Sequence, residues 1–285
     1  MNYRIIFSLL VFQLIFQIGV GQRTAVYTNI DAGYKRAMEL YQKEKYSAAQ
    51  REFQQVLVEN NDPFAEVKMN AEFYVAMCSF KLFNKDAEEL FMAFMKRNPH
   101  SPMVKDARFY LGVYNYRKQN WPRSVEWFEQ VRTHDLSAEQ IKEFNFKLGY
   151  SYLMKGDSAK AQTQLYTAKA EESEYKVPAL FYYSHLEYTQ ANYETALIGF
   201  QQLKNDPDFG PIVPYYISQI YYLQKKYREL VNYATPLLDS AKPARVAEIA
   251  RLIGDGHYAL NEYSEALPYL KKYVEVTNTT NPDDL

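Results

Sequence analysis

Residues 109–128 read FYLGVYNYRKQNWPRSVEWF, and the arrangement inside that stretch returns along the chain at a nearly fixed interval. Gly112 stands twelve residues before Ser124, Trp121 three before it, and Phe128 four after it. A small residue followed four later by an apolar one recurs as Ala49/Phe53, Ala87/Phe91, Ser124/Phe128, Ala161/Leu165, Ala196/Phe200 and Ala266/Leu270, with Leu230/Ala234 as a size-swapped member. The successive spacings are 38, 37, 37, 35, 34 and 36. Three residues before the small position stand Tyr46, Trp121, Tyr193, Tyr227 and Tyr263. Twelve before it stand Ala37, Gly112, Gly149, Ser184, Ser218 and Gly254. Such a period predicts a helix–turn–helix repeat. The first helix needs a small residue where the second crosses it, and the aromatic at the turn fills the gap between neighbouring repeats. No repeat buries its apolar stripe alone, so the expected fold is all-α, a right-handed α-solenoid of about seven repeats.

Composition agrees. Of 285 residues, 33 are Lys or Arg and 34 Asp or Glu, and the near-zero net charge argues against nucleic-acid binding by bulk electrostatics. Hydrophobic residues at 47% are enough for a core. Tyr is the outlier, with 27 residues beside 17 Phe. One cysteine, Cys78, excludes an intrachain disulfide framework and a Cys-based zinc site.

The pattern has exceptions. The second repeat has Val75 at the glycine position and Asn84 where the turn aromatic belongs. It fits better with a turn one residue short, Ala76 and Phe80 then taking the small and aromatic roles. Pro236 and Pro268 fall inside second helices, which they should kink or shorten. After the last helix only 277–285 remain, a tail in which Asn281-Pro282 is a helix-start signal; the last repeat either caps itself or begins a longer array.

Residues 1–21 read as a cleavable signal peptide. Arg4 is the positive head, Ile5–Val20 the apolar stretch, and Gly19 and Gly21 the small residues of a cleavage site after Gly21. The apolar run falls short of the ~20 residues of a membrane span. An exported protein with no integral membrane span in the mature chain is expected, periplasmic or associated with an outer membrane.

These columns resemble the tetratricopeptide repeat over 22–276, clearest from Asn29 to Val276. Its Leu-Gly pair appears as Leu111-Gly112, Leu148-Gly149 and Ile253-Gly254, and its closing Pro as Pro99, with Pro207 one step early. The repeats run approximately over 30–63, 68–101, 105–138, 142–175, 177–210, 211–244 and 247–276. The resemblance implies that first helices line a concave face, with the fifth and twelfth repeat positions prominent. Carried onto this chain, the fifth holds Tyr34, Phe109, Phe146, Phe181 and Tyr215, and the twelfth Tyr41, Tyr116, Tyr188, Tyr222 and Tyr258. Tyr150 and His185 fall between them at the ninth. The ninth column reads Val113, Tyr150, His185, Gln219 and Asp255, so the family's Lys/Asn clamp for a terminal carboxylate is not expected.

No catalytic motif is present: no glycine-rich phosphate loop, no G-x-S-x-G and no H-E-x-x-H. Cys78 sits at a packing position, where an inert thiol is expected. Neither an enzyme, a cofactor nor a metal is expected. Amphipathic rings suit binding hot spots, and the same columns also serve packing between first helices. The leading reading is a non-enzymatic exported scaffold that binds protein or peptide partners, in envelope assembly or secretion. The alternative is a glycan-binding repeat protein or the non-catalytic superhelix of a cell-wall enzyme.

Overall fold

The computed structural model describes residues 29–60, 65–239 and 243–279. The signal peptide expected over 1–21 lies outside them, and so does 280–285 of the tail. Among the described residues there are fourteen α-helices and no strand, in seven consecutive pairs. These are α1 (Asn29–Gln42) with α2 (Tyr46–Glu59), α3 (Glu66–Lys81) with α4 (Ala87–Arg97), and α5 (Val104–Arg117) with α6 (Trp121–Phe128). Then come α7 (Ala138–Lys155) with α8 (Ser158–Ala170), α9 (Lys176–Thr189) with α10 (Tyr193–Leu203), α11 (Val213–Leu223) with α12 (Tyr227–Ala234), and α13 (Pro243–Ala259) with α14 (Tyr263–Thr279). The chain divides into two compact units, Met1–Ala107 and Arg108–Leu285. In the first, α1 to α4 pack each on the next and α1 also meets α3. In the second, α6 to α14 do the same and α11 also meets α13.

Local sequence sets the helix starts. Ser137 opens α7 with a capping box: its Oγ accepts from the Gln140 N–H at 3.2 Å, and Gln140 Oε1 accepts from the Ser137 N–H at 2.9 Å. Asn120 caps α6 by accepting from the Arg123 N–H, with Pro122 in the first turn, where a missing donor does no harm.

All seven turns inside the pairs close the same way. The residues Glu44, Phe83, Gln119, Gly156, Ala191, Lys225 and Asn261 are left-handed, at φ 57, 59, 56, 88, 62, 59 and 62°. Each donates its N–H to the carbonyl three back at 2.9–3.2 Å, and the next residue donates to the carbonyl five back at 2.8–3.0 Å. This double bond set is the Schellman motif, which satisfies carbonyls that a helix end leaves orphaned. Gly156 is the one glycine among them, and a Cβ built there meets nothing within 4 Å.

Close crossing follows from the small columns. A Cβ on Gly112 would lie 2.5 Å from the ring of Phe128, so only glycine lets α6 approach this far. Ser124 Oγ donates to the Gly112 carbonyl at 3.0 Å across the same contact. Phe53, Phe91, Phe128 and Phe200, four residues past the small positions, are fully buried. Each such ring is worth about 1.5–3 kcal/mol of transfer free energy.

The exceptions have physical outcomes. In the second pair the left-handed Phe83 stands four residues before Ala87, whereas the other turns leave five, and Ala76 and Phe80 take the small and aromatic places. Leu230 and Ala234 are both fully buried, and Leu230 reaches the backbone of α13 at Gly256. Pro236 ends α12 early, in a 3-10 turn over Thr235–Leu237, whereas Pro268 sits inside α14 without ending it. Cys78 is fully buried, and burial pushes its thiol up to about 12, which keeps it protonated and unreactive.

Candidate functional site: an aromatic groove

The columns expected to line a binding face divide into three environments. Phe109, Phe146 and Phe181 of the fifth column are 0, 7 and 9% exposed and belong to the core. Tyr34 packs against Phe53 and Tyr74, and burial pushes its phenol up to about 12. Tyr215 lies under the Arg245 guanidinium, 4.6 Å from the ring centre, and accepts a hydrogen bond from Gln219 Nε2 at 2.7 Å.

The twelfth column braces the turns. Tyr41 meets Tyr46, Tyr116 meets Trp121, Tyr188 meets Tyr193, Tyr222 meets Tyr227 and Tyr258 meets Tyr263, with centroids 5.2–6.2 Å apart and rings tilted or edge-on. Each pair spans one left-handed residue, so these rings hold the Schellman turn from outside. Tyr258 is 61% exposed. His185 is half-buried among Phe181, Tyr188 and Tyr216, and burial lowers its pKa.

Within Arg108–Leu285 a cluster of rings lines an open groove. A groove of about 540 Å³ is lined by Tyr116, Trp121, Phe146, Tyr150, Tyr175, Pro178, Tyr182 and Phe209, with Arg117, Gln119, Lys147 and Glu174 as its polar members. Tyr150 is the hub. Its ring lies 5.7 Å from Tyr116, 5.4 Å from Trp121 and 4.7 Å from Tyr182, at 66, 73 and 69°. Near-perpendicular rings leave alternating faces and edges towards the groove. Phe146 and Tyr175 stack at 5.3 Å.

Lys147 is nearly buried at the groove's base. Its ammonium is bonded to Glu143 and lies 5.4 Å from the Tyr116 ring centre and 5.9 Å from that of Tyr175. Burial lowers its pKa, with the Glu143 carboxylate acting the other way. Burial also lowers Arg117 and raises Tyr116 and Tyr175, while Tyr182 is pushed up to about 12. At neutral pH the phenols are therefore protonated and able to donate hydrogen bonds. This arrangement offers aromatic contact area and oriented polar handles, which is chemistry for holding a ligand. Among the described residues no cluster of His, Cys, Asp and Glu could hold a metal ion, and no helix is long and apolar enough to cross a membrane.

Of the twelve expected residues, Tyr116, Phe146 and Tyr150 line the groove; Tyr175, Tyr182, Lys147 and Arg117 were not anticipated. Two of these, Lys147 and Tyr182, stand one residue after the fifth column, as do Tyr74 and Tyr216. Tyr74 stacks on Phe53 at 5.3 Å and Tyr216 on Phe200 at 5.0 Å, each reaching the second helix of the preceding pair. An aromatic at that sixth position was the available signal.

Comparison with known proteins places this architecture. No curated protein sequence matches the chain. The apo form of RapI has a similar fold, with a TM-score of 0.57 at 15% identity over 90% of this chain and 79% of that one. MamA, labelled AMB-1, gives 0.55 at 15% over 64% of this chain and 97% of that one. A tetratricopeptide repeat protein from Parabacteroides merdae gives 0.50 at 11% over 90% and 95%. At such identities the likeness concerns fold alone. A family model described as the tetratricopeptide repeat matches residues 83–140, the stretch that contains the Gly112/Ser124 crossing and two of the seven left-handed turns. Residues 83–140 thus match the tetratricopeptide repeat, and the same helix pair recurs on either side of that stretch, giving the chain a tetratricopeptide-like fold.

Proposed function

We propose that the chain is an exported, non-enzymatic scaffold that holds a segment of a protein partner in the groove around Tyr150, in envelope assembly or secretion. The observation that carries the binding reading is the open ring array of Tyr116, Trp121, Tyr150 and Tyr182 beside the buried cation of Lys147. Tyrosine and tryptophan give large contact area at low entropy loss and dominate binding hot spots. Export rests on residues 1–21, and mass spectrometry of protein recovered from culture should then find a chain beginning at Gln22.

The groove is tested with Tyr150→Ala and Tyr182→Ala together, and Tyr166→Ala, an exposed ring on α8 away from the groove and from any turn, as a control. Tyr188 and Tyr222 are poor choices, because they brace turns. Partners captured from an envelope fraction by the native chain and by the control should bind the double variant at least about ten-fold more weakly, the loss of a single hot spot. Circular dichroism should show helicity preserved. Equal capture by all three proteins would refute the groove as the binding site.

A further inference from the structure

The prolines that interrupt the repeat pattern line one cleft on the side of the second helices. Pro236 and Pro268 face a space of about 550 Å³ with Val231, Asn232, Thr235, His257, Glu265 and Tyr269 around it. It exists because Pro236 ends α12 at Ala234, so that the second helix of the sixth pair is only eight residues long. The volume is within the ~300–1,000 Å³ usual for ligand sites.

The cleft is rich in acceptors. Thr235 Oγ1 is buried and has no hydrogen-bond partner among the described residues. Pro268 has no N–H to give the Ser264 carbonyl four residues back. His257 Nδ1 lies 2.8 Å from Glu262 Oε2, and Arg228 holds the same carboxylate. Because a carboxylate only accepts, Nδ1 is the donor. The imidazole lies on Tyr269 at 5.6 Å, 8° from parallel, which fixes its plane. No lysine or arginine lines the cleft, and Glu265 is the carboxylate at its rim.

An unpartnered buried hydroxyl, one rim carboxylate, no cationic side chain in the lining, apolar walls and a flat ring stack complement a long apolar stem ending in a planar cation. We infer that this cleft binds an arginine side chain of a protein partner, with its methylenes on Val231, Pro236 and Pro268 and its guanidinium turned to Glu265 and Thr235. Arginine fits better than lysine because its planar fork presents five N–H groups, sheds water more readily and lies along aromatic faces. This site is separate from the groove around Tyr150 and does not depend on it.

The test is an NMR titration of the full chain with acetyl-Gly-Arg-Gly-amide and its lysine and norleucine counterparts. The arginine peptide should shift Thr235, His257 and Tyr269 resonances saturably. The lysine peptide should bind about ten-fold more weakly, since it lacks the fork geometry, and norleucine should produce no saturable shift. Glu265→Gln, at an exposed position, should weaken the arginine peptide at least about five-fold, as loss of a charge-assisted bond requires. Thr235→Val should weaken it less. Should Thr235→Val fail to fold, Glu265→Gln carries the test. Absence of saturable shifts at these three residues, equal binding by norleucine or lysine, or an unchanged affinity in Glu265→Gln would each overturn the assignment.

Discussion

The turn at Gly156 and the turn at Ala191 have the same hydrogen bonds and different means of sustaining them. At Gly156 the left-handed residue has no side chain, and the flanking positions are Leu153 and Ser158. At Ala191 an L-residue holds φ 62°, and Tyr188 and Tyr193 meet across it at 6.2 Å. Glu44, Gln119, Lys225 and Asn261 follow the Ala191 scheme, each spanned by an aromatic pair. A left-handed L-residue costs about 1–2 kcal/mol, and an aromatic pair returns about 0.5–1.5 kcal/mol beyond its burial. The two are of one size, so the rings offset the backbone that they cover. The tyrosine richness of this chain is thus in good part a property of its turns.

The largest test of that balance is alkaline pH. Burial raises the phenols of Tyr116 and Tyr188 in the ring pairs, and pushes Tyr34, Tyr182, Tyr183 and Tyr233 up to about 12, above the ordinary value of 10.0. A folded pKa above the unfolded one gives stability that is complete below pH 10 and is lost as pH climbs through the folded value. Lys147, lowered by burial, works weakly in the opposite sense. Helicity should therefore hold to about pH 10 and then fall together with the rise of tyrosinate absorbance. Gradual tyrosinate formation near pH 10 with helicity intact would show that the rings bear no part of the fold.

Removing one ring comes next. Trp121 touches both Tyr116 and Tyr150, bracing the Gln119 turn and walling the groove. Trp121→Ala should cost about 2–3 kcal/mol in denaturant unfolding followed by circular dichroism, less than for a fully buried ring because Trp121 is only partly covered. Ser158→Ala, at the same place beside Gly156, should change stability by less than about 0.5 kcal/mol. Comparable losses at both sites would dissolve the distinction between the two kinds of turn.

The sequence shows the helix pairs because each crossing needs small residues at fixed spacing, and Gly112 beneath Phe128 leaves no other choice. It does not show the left-handed residues. Glu, Phe, Gln, Gly, Ala, Lys and Asn have no common chemistry, and only Gly156 and Asn261 belong to types that favour such a backbone. The groove is half legible. Column alignment finds Tyr116, Phe146 and Tyr150, but passes over Lys147 and Tyr182 at the next position. The cleft beside Pro236 is legible only as a breach of the pattern, since what it binds depends on acceptors that the fold brings together.

The smallest effect separates backbone from ring most cleanly. Gly156→Ala adds a methyl that meets nothing within 4 Å, so any loss belongs to the left-handed backbone alone. It should cost about 1 kcal/mol, the strain of an L-residue less the entropy that alanine removes from the unfolded chain. Ala191→Gly is the reverse change, at an exposed position where only a methyl departs. It should stabilise by about 0.5–1 kcal/mol, read as a higher denaturant midpoint at unchanged slope. In a Tyr193→Ala background the turn has lost its brace but keeps its strain, and the gain from Ala191→Gly should be the same or larger. If the gain instead disappears there, φ at residue 191 relaxes once the ring is gone, and the tyrosine pair is then what forces the left-handed turn rather than what compensates it.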